Sequence, residues 1–175
     1  MTGWAARTEL ARLRLQQRDG VTCGPSVAIV GAALLDSHYR GRLGDPTWFA
    51  AEQGRLHRRL NRFWPRMLGT TPVGVASALT EHSPAQYRWR RARGRRDGLC
   101  DVYEALLTGF PVAMLVGRFV PRHWVLLVDR DDGGFDCYEP SSGTLRRVDA
   151  DAVRRGRLDG VGFPRAFCFV LPARR

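Results

Sequence analysis

At 175 residues and 44% apolar content, the chain is long enough for one domain with a real core, which excludes disorder as its default state. No apolar run approaches the ~20 residues that cross a bilayer, and the opening MTGWAARTELARLRLQQ scatters charge where a signal peptide needs an apolar core, so a cytoplasmic protein without a membrane span is expected. The net charge of +11 points toward acidic partners, but every basic residue is arginine and none is lysine, a bias that reads as the codon composition of a GC-rich genome.

In chain order, residues 4–15 predict a short helix with Leu10, Leu13 and Trp4 facing inward. After Cys23-Gly24-Pro25, the stretch SVAIVGAALLD at 26–36 is nearly all apolar and suits a buried helix, with Pro25 in the first turn. Residues 47–63 place Trp48, Phe49, Leu56, Leu60 and Phe63 at helical spacing, and 71–82 reads as a helix capped by Thr71 and opened by Pro72. The densest basic cluster, RWRRARGRR at 88–96, interleaves Trp89 but has no recognisable binding module around it. It reads as a solvated face, and nucleic acid is not expected as a partner. A helix over 98–108 ends at Gly109, and strand-like runs follow at 111–119, 123–129, 135–139 and 166–171. RDDGG at 130–134 is a hairpin turn, and DADAVRRG at 149–156 a short helix between the last two strands. Helices first and antiparallel strands later predict an α+β fold over 1–175, a helical lobe at about 1–109 against a sheet lobe at about 110–175, with one cleft between them.

The four cysteines (Cys23, Cys100, Cys137, Cys168) lie too far apart for a zinc site or a redox dithiol, and no metal or organic cofactor is expected. Cys100, Cys137 and Cys168 fall in apolar patterns and are expected to pack out of reach. Cys23 sits at a helix start, where roughly half a positive charge and unpaired N–H groups favour the nucleophilic thiolate. Gly24 would let a substrate approach the backbone closely. Gln17 offers a side-chain amide that could join the Cys23 N–H in holding an oxyanion. The competing reading is a packing cysteine in a tight turn.

A thiol nucleophile needs a base. His38, His57 and His82 read as surface residues, whereas His123 opens an apolar strand after Pro121 and could face a cleft. Glu139 ends the next strand. If 130–134 forms a five-residue loop, Glu139 lies opposite Val125 and becomes a diagonal neighbour of His123, ~7–8 Å away at the backbone. A two-residue turn would shift the register by one and leave Asp136 better placed in parity.

The order of Gln17, Cys23-Gly24-Pro25, then GFPVAMLV, HWVLLVD and YEPSSG resembles the bacteriocin-processing cysteine peptidases that cut double-glycine leaders, and their stand-alone relatives. The resemblance covers roughly 13–35 and 98–150. It implies a papain-like fold and a site of Cys23, His123, Gln17 and the acid of the Asp-Pro-x-x-Gly turn, here Glu139-Pro140-Ser141-Ser142-Gly143. The chain departs in carrying glutamate for that aspartate and Thr22 where the family often has aspartate. It also has no ATP-binding cassette, so export of its own leader peptide is not its expected task.

These residues predict a cysteine-nucleophile acyl-transfer enzyme, a peptidase or amidase working through a thioester with Cys23, His123 and Glu139 as its triad and a peptide or amide as its substrate. The same residues would serve an acyltransferase or transpeptidase. The rival of another class is a non-enzymatic basic binding module, either a papain-fold relic or a nucleic-acid adaptor.

Overall fold

A computed structural model describes residues 3–61 and 69–173, with side-chain surroundings described from residue 8 onward. The predicted inward positions of Trp4 and Phe63 lie outside the described residues. Helix α1 spans Gly3–Leu13 and is followed by α2 (Cys23–Leu35), a single turn α3 (Ser37–Arg40), α4 (Pro46–Leu60) and α5 (Pro72–Glu81). Asp45 caps α4 by accepting from the Thr47 and Trp48 N–H groups, and Thr71 caps α5 by accepting from Gly74 N–H. Strand β1 (Tyr87–Arg91) and a 3₁₀ turn then lead to α6 (Cys100–Leu107). The remainder is β2 (Val112–Gly117), β3 (Pro121–Arg130), β4 (Gly134–Glu139), β5 (Thr144–Asp149), α7 (Ala150–Arg155) and β6 (Arg165–Pro172).

Among the described residues the strands form one antiparallel sheet in the order β1-β6-β2-β3-β4-β5. Period-2 alternation splits its side chains between two cores. Ala113, Leu115, Trp124, Leu126 and Val170 pack with α2, α4 and α5, whereas Val112, Met114, Val116, Val125 and Leu127 pack with α6 and α7. Strand β2 is buried on both faces, which is why its sequence is apolar throughout. Helix α2 is buried along nearly its whole length, as its composition predicts. No helix among the described residues is long and apolar enough to cross a membrane.

Two strands differ from the sequence expectation, and both are edge strands. RWRRARGRR begins within β1, a strand that was not predicted, while its residues stay on a solvated face as expected; β5 was not predicted at all. Edge strands bury few side chains, Tyr87 in β1 and Val148 in β5, so alternation is too sparse to announce them. Their hydrogen bonds to β6 and β4 are decided by the rest of the sheet. Arg90, at the centre of the basic cluster, is held by Asp97 at 2.7 Å and by Asp101, with its guanidinium over the Phe169 ring. The sheet thus recruits a strand from before residue 110.

Candidate active site

Cys23 is the first residue of α2, where the leading N–H groups have no intrahelical acceptor. The loop before it is ordered locally. The Asp19 carboxylate accepts from Val21 N–H, the Thr22 hydroxyl donates to the Asp19 carbonyl, and Ser26 Oγ donates to the Thr22 carbonyl at 2.8 Å. Gly24 is buried, and a Cβ there would lie 2.6 Å from Thr70 Cβ and 3.2 Å from Trp124 Cδ1. Its lack of a side chain lets the helix start pack on β3 and on Thr70, whose carbonyl accepts from Trp124 Nε1 at 2.8 Å. Gly24 thus has a packing role that the sequence did not announce.

His123 and Glu139 are brought together by an irregularity in the sheet. Near the β3–β4 turn the pairs are Arg130–Phe135 and Asp129–Asp136, but Leu127 faces Cys137 and Leu126 faces Tyr138, so Val128 is a bulge. The bulge restores the register of a five-residue loop and sets Val125 opposite Glu139. His123 Nε2 lies 2.8 Å from Glu139 Oε1. The other Glu139 contacts are with the turn that follows it: Ser141 N–H donates to Oε1 at 2.7 Å, and Ser142 donates to Oε2 through its N–H at 2.9 Å and its hydroxyl at 2.8 Å. Burial works against the charged carboxylate, but the bonds from His123, Ser141 and Ser142 prevail and hold its pKa down at about 2. An ionised carboxylate cannot donate, so His123 supplies the Nε2–H.

With Nε2 taken by Glu139, Nδ1 is the ring nitrogen left for the Cys23 thiol, which lines the same cleft. Burial lowers the affinity of His123 for its proton, but the bonds and charges of Cys23 and Glu139 outweigh it and raise the pKa to about 9. Both sit at a cleft of about 630 Å³ whose walls include Gln17, Val21, Arg122, Ser141 and Phe163. Asp136 does not line that cleft; it forms an ion pair with Arg147 at 3.8 Å.

Gln17 reaches the same cleft. Its Nε2 donates to the Asp19 carbonyl at 2.7 Å, which uses one amide hydrogen and leaves the second. Its Oε1 accepts from Ser141 Oγ, and its backbone N–H donates to the Pro140 carbonyl at 2.7 Å, so the turn that seats Glu139 also seats Gln17. Sequence reasoning missed Gln53, a buried side chain of α4. It accepts from Arg18 N–H at 2.7 Å and donates to the Gln16 carbonyl at 3.1 Å, gripping both neighbours of Gln17. The available signal was a glutamine in phase with Phe49 and Leu56. His57 occupies that buried face too, and His82 pairs with Asp36 at 3.1 Å, which corrects the reading of both as surface residues; His38 is exposed. Cys23, Cys137 and Cys168 are all buried, but only Cys23 of the three lines the cleft, whereas Cys100 is exposed at the start of α6, against expectation.

No family model matches the chain. No curated protein matches it by sequence either. Solved structures do match. The peptidase domain of Streptococcus ComA, a bifunctional ABC transporter of a quorum-sensing pathway, superposes with a TM-score of 0.53 at 19% identity, over 91% of this chain and 97% of that one. The Streptococcus mutans ComA peptidase domain gives 0.48 at 18% identity over 90% and 98% of the two chains. A double-glycine motif protease from a PCAT transporter, solved with its leader peptide, gives 0.47 at 14% identity over 91% and 90%. The chain thus has the papain-like α+β fold of the bacteriocin-processing peptidase domains.

Proposed function

We propose that the chain is a cysteine-nucleophile acyl-transfer enzyme, a peptidase or amidase, and that residues 1–175 work as one papain-like domain. The observation that carries this reading is one imidazole bonded to an ionised carboxylate and sharing an open cleft with the Cys23 thiol. The Cys23 thiolate adds to the substrate carbonyl, forming a C–S bond, while His123 holds the thiol proton. The negative oxygen is received by the Cys23 N–H and the second amide hydrogen of Gln17. The imidazolium gives its proton to the departing amine as the C–N bond breaks, which leaves a thioester. Water then adds with His123 taking its proton, and C–S cleavage releases the acid and restores the thiolate. Glu139 stays ionised throughout and fixes the ring.

Four free thiols suit a reducing cytoplasm. Against the nucleic-acid adaptor stands Arg90, the centre of the basic cluster, already neutralised by Asp97 and Asp101.

A thiol-reactive peptidyl probe tests the reading. The expected adduct maps to Cys23 by peptide mass spectrometry and disappears in Cys23→Ala and His123→Ala. Labelling confined to Cys100 would overturn it.

A further inference from the structure

We propose that Arg122 selects the substrate, its guanidinium taking a carboxylate on the leaving-group side of the scissile bond. The carboxylate is either an acidic side chain or the substrate's own C-terminus. The inference deepens the peptidase reading and rests on it for direction. The imidazole that protonates the leaving amine must face that half of the substrate, and Arg122 is the residue beside His123.

The backbone places Arg122 there by a second bulge. Val116 pairs with His123 and Gly117 with Pro121, so Arg122 is the extra residue of β3. In a regular strand its side chain would alternate to the face opposite His123. A bulge sets two residues against one partner and re-aims a side chain, and Arg122 and His123 accordingly line one cleft.

Charge makes the position selective. Among the described residues no Asp or Glu lines the cleft, and Arg122 has no ion pair there, unlike Arg55, Arg90 and Arg147. The Nε2–H of His123 is committed to Glu139, and its Nδ1 is the side left to Cys23. An incoming anion therefore meets Arg122 as its free cation, and a guanidinium binds a carboxylate through two parallel N–H groups. Pro121 on one side fixes the backbone into this position.

Two measurements test it. In Cys100→Ser protein, the rate of Cys23 alkylation is compared for 3-maleimidopropionic acid and its amide, reagents differing only in the tail carboxylate. Arg122→Gln should cut the acid-to-amide rate ratio about tenfold, the size of one charge-assisted hydrogen bond, with Arg122→Lys in between. In the second, a proteome-derived peptide mixture is digested and the cuts are sorted. Enrichment of Asp or Glu within two residues after the cut identifies a side-chain carboxylate. Cuts confined to the last two residues identify the terminal one. Either pattern should vanish in Arg122→Gln. A reagent ratio indifferent to Arg122→Gln would overturn the proposal. If the ratio responds but no Cys23-dependent cut appears, the anion site stands and the peptidase reading falls.

Discussion

One carboxylate, that of Glu139, holds the ring of His123 at 2.8 Å through Oε1 and closes the Ser141–Ser142 turn through both of its oxygens. Ring orientation and turn geometry are therefore one structural unit. The unit extends to Gln17, whose backbone N–H is bonded to Pro140 within that turn.

Glu139→Gln is accordingly expected to affect both activity and folding. Each oxygen of Glu139 faces a backbone N–H, so either placement of the amide sets its NH₂ against a donor. Turnover should fall by about 10⁴, as for other triads that lose the orienting charge. Stability should fall by roughly 3 kcal/mol, the cost of breaking a buried pair, measurable by urea unfolding. The bonds from the turn are the reason that folding is not spared. Glu139→Asp keeps the charge and should be milder. Asp136→Asn should retain turnover; its loss there would place the orienting acid elsewhere.

The same pair sets a pH window. Glu139 is depressed from its ordinary 4.5 to about 2, so its contribution to stability is present above 4.5 and lost as pH falls through about 2. His123 is raised from 6.5 to about 9, so its contribution is complete below 6.5 and lost as pH rises through about 9. Thermal unfolding across pH should show both flanks. The alkaline limb of turnover should lie near 9, and Glu139→Gln should move it downward by removing a group that raises the His123 pKa. An unmoved limb would detach it from His123.

Gln17→Ala should lower turnover ~10²–10³-fold, the effect of losing one oxyanion donor, while Cys23 still alkylates. Gln53→Ala should reproduce part of that loss without touching the cleft, because it frees the backbone on both sides of Gln17. The diagnostic for a positioning role is the split between constants: kcat falls in Gln53→Ala and KM hardly moves. Equal loss of alkylation would mean the loop itself had collapsed.

Cysteine labelling of the native protein should mark Cys23 and Cys100 and spare the other two. Cys137 is fully buried, and burial pushes its thiol pKa far up; the same cause carries Cys168 to about 12. Only the Cys23 adduct should abolish turnover, and only its rate should drop in His123→Ala. Peptide mapping with turnover assayed in parallel checks both.

Gly24→Ala should destabilise the protein by about 1–3 kcal/mol, since the new methyl would overlap Thr70 and press on Trp124. Trp124 fluorescence offers a direct reading, and an unchanged unfolding midpoint would show that Thr70 yields freely.

Much of this protein was legible in the chain. The apolar run after Cys23, the cap of α5, the four interior strands and α7 follow from local patterning, because a side chain's period registers burial wherever a whole face is covered. The candidate residues Gln17, Cys23, His123 and Glu139 were nameable from type and order. What tertiary structure decided was less local. The edge strands β1 and β5 exist because the sheet supplies their hydrogen bonds, and their own residues carry little burial signal. Register depended on bulges at Val128 and Arg122, one residue each, which no composition announces. The assignment of Gln53 and His57 to the buried face of an arginine-rich helix depended on what packs against it. A sequence specifies which groups can react; the distance between His123 and Glu139, sixteen residues apart, is set by the backbone hydrogen bonds that link their strands.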